Sequence, residues 1–349
     1  MASMPHPERL VTVGVDSHKE THVAAAVDQL GRILGTTSAP TTQRGYGQLE
    51  RWARGLGRVE RFGIEGTGSY AAGLARWLAG RGHQVVEVNR PNRQARRRRG
   101  KSDPVDAEAA ARAALAGDAV TTPKAANGTV EMLRVLGVAR RSAMKARTQA
   151  ANQLTSLLVT APEPLRAQLR GLAPDRLVEV AAALRPGELA GPLAATKLVL
   201  RELARRHQAL TAELDRLDTE LAKLAPKASP GLLARRGVGP QTATALLVAA
   251  GDNPGRLRSE ACFSMLCGAS PIEASSGKTV RHRLNRGGDR QANNALWVIA
   301  MSRMSCDQRT KDYVEQRTEE GKSKKDIIRC LKRYIAREVY RDLRAAIAT

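Results

Sequence analysis

Val11, Val13 and Val15 alternate with Thr12, Gly14 and Asp16, the two-residue period of a strand that closes on Asp16. HVAAAVDQLGRILGTT continues the alternation and predicts a hairpin turning near Asp28–Gly31. A helix is expected around Tyr46–Arg54 and a short apolar strand, RVERFGIEG, ending at Glu65. An amphipathic helix over Tyr70–Arg81, stopped by Gly80 and Gly82, and a further strand, HQVVEVN, follow. Strands first, then strands alternating with helices, predict a mixed sheet with helices packed on it over residues 1–125.

The pattern changes at residue 126. Over 126–228 Ala, Leu, Arg and Glu dominate, and Leu200, Leu203, His207, Leu210, Leu214, Leu217, Leu221 and Leu224 recur at steps of three and four. That spacing is a coiled-coil seam of about three heptads, with His207 its one polar member and best read as a register-setting residue. An earlier helix near 130–158 carries smaller seam residues such as Ala143 and Ala150. A Pro-rich stretch, 160–192, joins the two, and Pro226 and Pro230 are expected to end the second. A helical hairpin or dimer stalk is the simplest reading. Residues 229–349 are expected to be mostly helical, with two apolar helices around Gly237-Val238-Gly239 and a loop-rich, then strand-like block before ANNALW. The chain thus divides into an α/β domain (1–125), a helical stalk (126–228) and a helical C-terminal domain (229–349).

Charge narrows the function. Fifty-seven Lys and Arg face 34 acids in 349 residues, a net +23. The three segments carry excesses of +7, +6 and +10, so basicity is not confined to a tail. An extended polyanion held across the chain fits this better than a membrane surface, because no strongly amphipathic basic helix sits at a terminus. Aromatics at 3 % make phosphate contact, not base stacking, the main mode of recognition. No run of about 18 apolar residues exists to span a membrane, and MASMPHPERL lacks a signal stretch. Cys262, Cys267, Cys306 and Cys330 form no CxxC pair, which argues against a zinc site or disulfide framework and for a cytoplasmic location.

Four carboxylates are placed to work together. Asp16 and Glu65 close predicted strands, and strand ends of one sheet are neighbours in space. Asp103 and Asp106 open a predicted helix. Such a cluster binds a hard divalent cation through oxygen, and pairs of such ions promote substitution at phosphorus. Asp16 is also a plausible turn residue, and Asp103-Pro104-Val105-Asp106 is explained by capping, with Asp103 as N-cap and Pro104 at the first helical position. The two readings are compatible. Arg90, Arg93, Arg96, Arg97, Arg98, Arg99 and Lys101 form an acid-free basic run that is either a solvated loop or a phosphate grip leading into Asp103. Gly237 and Gly239 suit a helix–hairpin–helix that approaches a phosphate backbone, or a plain tight turn. Ser275-Ser276-Gly277-Lys278 precedes Arg281, Arg283, Arg286 and Arg290; it is a Ser-Gly turn, or it carries a serine nucleophile with cations beside it.

VGVDSHKETH, GIEGTGSY and KSDPVDAEAAARAA in the first block, and RGVGPQTATALL, FSMLCGASPIEASSGK and RGGDRQANNALW in the second, together resemble the DEDD-type transposases of bacterial insertion sequences. These are related to the pilin-gene invertases and include bridge-RNA-guided recombinases. The resemblance implies a resolvase-type, RNase H-like first domain with Asp16, Glu65, Asp103 and Asp106 as its acids, and Mg²⁺ or Mn²⁺ as their ion. It implies a catalytic serine just before the motif glycine, which is Ser276, although the adjacent Ser275 leaves a one-residue alternative. It further implies donor and target DNA, a guide (bridge) RNA and a homo-oligomer, dimer or tetramer. The nucleic-acid contacts fall to Arg96–Arg99, Lys101, Gly237, Gly239, Lys278, Arg281 and Arg283. The competing reading is a metal-dependent, junction-resolvase-like nuclease without a serine intermediate.

Overall fold

The structure is a computed structural model that describes residues 9–88, 102–118, 120–253 and 256–348. Two compact units divide at residue 126. In the first, β1 (Leu10–Ser17), β2 (Thr21–Asp28), β3 (Ile33–Pro40), β4 (Arg58–Ile64), β5 (Val85–Val88) and β6 (Val120–Thr121) form a mixed sheet in the order β3-β2-β1-β4-β5-β6. β1 pairs antiparallel with β2 and parallel with β4; β4 and β5 are parallel, and β6 returns antiparallel on β5.

Both faces of the sheet are covered, which is why β1 is buried at consecutive positions and not only at alternate ones. Val11, Val13, Val15, Phe62 and Ile64 face α1 (Gln43–Leu56) and α2 (Ala72–Gly80), whose Leu49, Ala53, Leu74 and Leu78 complete that core. The opposite face lies under α3 (Asp103–Ala116). This helix sits so close that a Cβ on Gly14 would fall 2.1 Å from Ala107 O, and one on Gly63 would fall 2.5 Å from Ala114 Cβ. Glycine at these strand positions and alanine along α3 therefore set the separation of helix and sheet.

The second unit is helical. α4 (Thr129–Val159) and α7 (Pro192–Ala228) form the long hairpin. Leu200, Leu203, Leu214 and Leu221 are buried in it, Leu210, Leu217 and Leu224 half-buried. Arg140 donates to both oxygens of Asp218 across the pair, at 2.5 and 3.1 Å. His207 is half-buried, and that burial, with the charge of Arg147, holds its imidazole below the usual range. The joining stretch is not a plain linker: α5 (Glu163–Leu169) and α6 (Pro174–Ala182) close a core of Leu165, Leu169, Ala181 and Leu184 against Leu154, Leu200 and Leu203. Prolines here begin helices, at positions where the missing N–H costs nothing. Pro226 lies in the last turn of α7, and the helix ends at Ala228, between Pro226 and Pro230.

At the other end of the hairpin, Leu133, Leu221 and Ala225 enter one core with α9 (Pro240–Ala250), α10 (Glu260–Leu266), α11 (Arg290–Cys306) and α13 (Lys324–Ala348). α8 (Pro230–Leu233) is a single turn, so the Gly-Val-Gly segment joins one turn of helix to α9, not two full apolar helices. Arg235, just beyond α8, donates to both oxygens of Asp342, at 2.8 and 3.0 Å. α12 (Gln308–Glu319) and a small hairpin, β7 (Ile272–Glu273) with β8 (His282–Arg283), complete the unit. Among the described residues no helix is long and apolar enough to cross a membrane.

Candidate active site

The acidic site grows out of register. Val15 pairs with Ile64, and Glu65 N–H donates to Val15 O at 3.1 Å, which sets Glu65 beside Asp16 on neighbouring parallel strand ends. Ser17 Oγ donates to Glu65 O at 2.9 Å and fastens the two ends together. Side chains alternate along a strand. Gly14 touches α3, so Asp16, two residues on in β1, shares the α3 face, while Glu65 lies in the turn that follows β4.

α3 then delivers the other two acids. Its first turn holds Asp103 and Asp106. Ser102 is the N-cap residue, one position before the expected Asp103, and its hydroxyl makes no capping bond. Asp103 is the first helical residue and Pro104 follows it, so capping does not account for either acid. Asp106 is 5 % exposed, while Asp103 stands at the rim.

The residue that sequence reasoning missed is His18. Its Nε2 lies 3.2 Å from Asp16 Oδ2 and 3.3 Å from Asp103 Oδ1. Ligand atoms of Asp16, His18 and Asp103 all fall within 4.8 Å of one another. The signal was present: His18 stands two positions beyond Asp16, the period that returns to the same face. Burial pushes the Asp16 carboxyl above its ordinary value; His18 pulls it down, and Asp106 and then Asp103 push it up. A half-buried carboxylate repelled by two others is a site that a cation would relieve. Oxygen donors with one imidazole suit a hard divalent ion. The acidic cluster of Asp16 and Asp103 thus suggests a metal-binding site.

Ser276 sits in the second unit at the tip of the β7–β8 hairpin. Ser276 and Thr279 exchange both backbone hydrogen bonds at 3.1 Å around a two-residue turn. Gly277 takes φ +55°, as the first central position of a type II′ turn requires. The neighbouring serines differ. Ser275 Oγ accepts from Arg281 N–H at 3.2 Å and lies 3.4 Å from Arg281 O, so it is engaged within the hairpin. The Ser276 hydroxyl is exposed and makes no hydrogen bond with the described residues. Lys278, Arg281 and Arg283 are exposed on the same hairpin. Gly237 packs into α11, where a Cβ would come within 3.3 Å of Ile299 O, while Gly239 is open and caps α9 by exchanging bonds with Thr242. Arg96–Arg99 and Lys101, with Arg90 and Arg93, lie outside the described residues.

A mixed sheet with four acids and a histidine at its strand and helix ends, followed by a mostly helical region, is consistent with the RNase H-like class of nucleic-acid enzymes. A family model for the DEDD transposases of IS110 elements, described as "Transposase", matches residues 13–161. A second, described as "Transposase IS116/IS110/IS902 family", matches 232–315. The first match contains all four acids and His18; the second contains Ser276. The chain belongs to the IS110-family DEDD transposases. It is similar to the insertion element IS110 uncharacterized 43.6 kDa protein of Streptomyces coelicolor, at 32 % identity over 96 residues. That match covers 27 % of this chain and 24 % of the relative.

Proposed function

We propose that this protein is the recombinase of an insertion sequence, cutting and rejoining donor and target DNA under the direction of a guide (bridge) RNA. The observation that carries the reading is the convergence of Asp16, His18 and Asp103 beside Asp106 and Glu65, in a chain of a transposase family. Asp16, Glu65, Asp103 and Asp106 would hold Mg²⁺ or Mn²⁺. When bound, the ion supplies charge neutralisation at the scissile phosphate. Ser276 is the nucleophile: its Oγ forms a bond to phosphorus, the phosphorus–oxygen bond to the leaving deoxyribose breaks, and the serine proton ends on that leaving oxygen. The phosphoserine link conserves the bond for rejoining by the reverse reaction. Ser276 is exposed and unengaged where Ser275 is bonded to Arg281, which supports Ser276 over its neighbour.

Lys278, Arg281 and Arg283, on the same turn, offset the charge developing at phosphorus. Gly239, open at the start of α9, allows a backbone phosphate close approach, and such contacts carry no sequence code. Arg96–Arg99 and Lys101 add phosphate contacts before Asp103. Sequence choice falls to the guide RNA, and the α4–α7 hairpin assembles the homo-oligomer, as dimer or tetramer.

The test is chemical. Protein purified with its own RNA is incubated with labelled donor DNA and Mg²⁺, then resolved under denaturing conditions. Wild type gives a covalent protein–DNA adduct and Ser276→Ala gives none. Cleavage without any adduct in the wild type would overturn the serine step and leave a metal-dependent nuclease.

A further inference from the structure

The root of the Ser276 hairpin borders a cavity of about 560 Å³ that the strand exchange above does not use. Pro271, just before β7, and Leu284, just after β8, form one wall; Tyr334 on α13 forms another. Leu284 is 51 % and Tyr334 48 % exposed, so both present apolar surface to a ligand. The Tyr334 ring is braced at 84° to Tyr313, with centroids 5.7 Å apart.

The charged lining is all cationic: Arg286, Arg329, Lys332, Arg333 and Arg337, with no Asp or Glu among the lining residues. Two acids from outside the cavity partly balance them. Asp326 holds Arg329, and Glu260 holds both Arg333 and Arg337. Arg286 is exposed and has no acid partner among the described residues. Among the described residues, Lys332 Nζ donates only to a neutral oxygen, Asn293 Oδ1, at 2.9 Å. The Asn293 amide is itself locked by Cys267 O at 2.7 Å and Gly268 O at 3.2 Å. Burial, and then the charge of Arg329, hold the Lys332 ammonium below its usual range. An anion beside it would offset both.

An aromatic ring, an apolar wall and uncompensated cations in a cavity of this size suit a nucleotide. We propose that the cavity takes one unstacked nucleotide of a bound strand, its base between Tyr334 and the Pro271–Leu284 wall and its phosphate on Arg286 and Lys332. The inference rests on the reading that this unit holds nucleic acid. From Pro271 to Ser276 is five residues, at most about 17 Å of extended chain. At one phosphate per about 3.4 Å of strand, the captured nucleotide lies within about five base steps of the phosphate at Ser276. Capture there would fix the register of the strand at the nucleophile.

Full-length protein is titrated into DNA duplexes, and into RNA duplexes, each with and without one unpaired 2-aminopurine, at fixed salt. Wild type is expected to bind at least one bulged duplex about tenfold more tightly than its paired counterpart, with a change in 2-aminopurine emission. The arm that shows the preference identifies whether the nucleotide is deoxyribo- or ribo-. Arg286→Ala, at an exposed and unpaired position, and Tyr334→Leu, which keeps apolar volume, should each reduce that preference to about threefold or less. Equal affinity for bulged and paired duplexes of both kinds, or a preference unaltered in both variants, overturns the proposal. Failure to bind even paired duplexes overturns the nucleic-acid reading beneath it and is distinguishable from either.

Discussion

The acidic end of the sheet and the Ser276 hairpin are built on opposite plans. Asp16, Glu65, Asp103 and Asp106 come from two strand ends and a helix start, held by strand register and by α3 lying directly on Gly14 and Gly63. Ser276 stands on a two-residue turn with two short strands beneath it and little else. Carboxylates repel one another, so only a packed frame keeps Asp103 and Asp106 near enough to push the Asp16 carboxyl up. On the proposed reading, Ser276 must meet a phosphate on a long polymer and needs access instead, and an exposed hairpin tip provides it. The two regions are therefore expected to fail differently when altered.

Loss of either half is the largest expected effect. Asp16→Ala should lower strand exchange by at least about a thousandfold, since the site is asked for several kcal/mol at the transition state. Nucleic-acid binding, measured by gel shift, should survive. Ser276→Ala should remove both the covalent adduct and all exchange, while Ser275→Ala should retain the adduct. A dead Ser275→Ala with a live Ser276→Ala would move the nucleophile by one residue.

Salt should act on the basic surface and not on the acidic site. With about six phosphates neutralised, affinity should fall around a thousandfold between 50 and 200 mM salt. A flat titration would show that the +23 charge is not what holds the polyanion.

Two substitutions probe the frame alone. Gly14→Ala places a methyl against the α3 backbone and should cost about 3 kcal/mol in unfolding of the first unit. It should also reduce exchange by moving Asp103 and Asp106, whereas an alanine at Gly277 would disturb only the hairpin. Glu50 tests the frame more weakly. It is 3 % exposed and bound by His83 at 2.7 Å, Arg81 at 3.0 Å and Arg54 at 3.2 Å. Burial pushes its carboxyl up, but the His83 hydrogen bond and the two arginines outweigh it and hold it below the usual range. A carboxyl depressed in the fold adds stability above its unfolded value, about 4.5, and loses it as pH falls through the lower folded value. Glu50→Gln should therefore cost about 2 kcal/mol near neutral pH, with the gap from wild type closing in acid, as read by thermal unfolding across pH.

Much of this was legible because it is periodic and local. The valines of β1 and the leucines of α7 repeat at intervals that belong to strand and helix, and Asp16 and Glu65 stand where the repeats stop. Turn chemistry was equally local: Gly277 marked its own hairpin, and prolines marked helix starts in α5 and α6 that the composition of that stretch had hidden. The N-cap at Ser102 was missed by one residue because Ser and Asp both cap well, and only backbone angles separate them. His18 looked like one more polar residue in a turn until Asp103, far along the chain, was set 3.3 Å from it.

Sequence alone determined the alternation that makes strands, the heptads that make the long hairpin, the positive charge, and the identity of the acids and serines. Tertiary structure decided what those residues face. Strand order put β4 beside β1 and so Glu65 beside Asp16; helix packing brought Asp103 and Asp106 to the same end; a hydrogen bond to Arg281 distinguished Ser275 from Ser276. Nor could any local pattern reveal the cavity beneath the hairpin, whose walls are drawn from residues 268–293 and 329–337. The physical reason is range. Propensity and period act over a few residues, whereas register, packing distance and the meeting of charges are set by contacts between segments that the chain itself holds far apart.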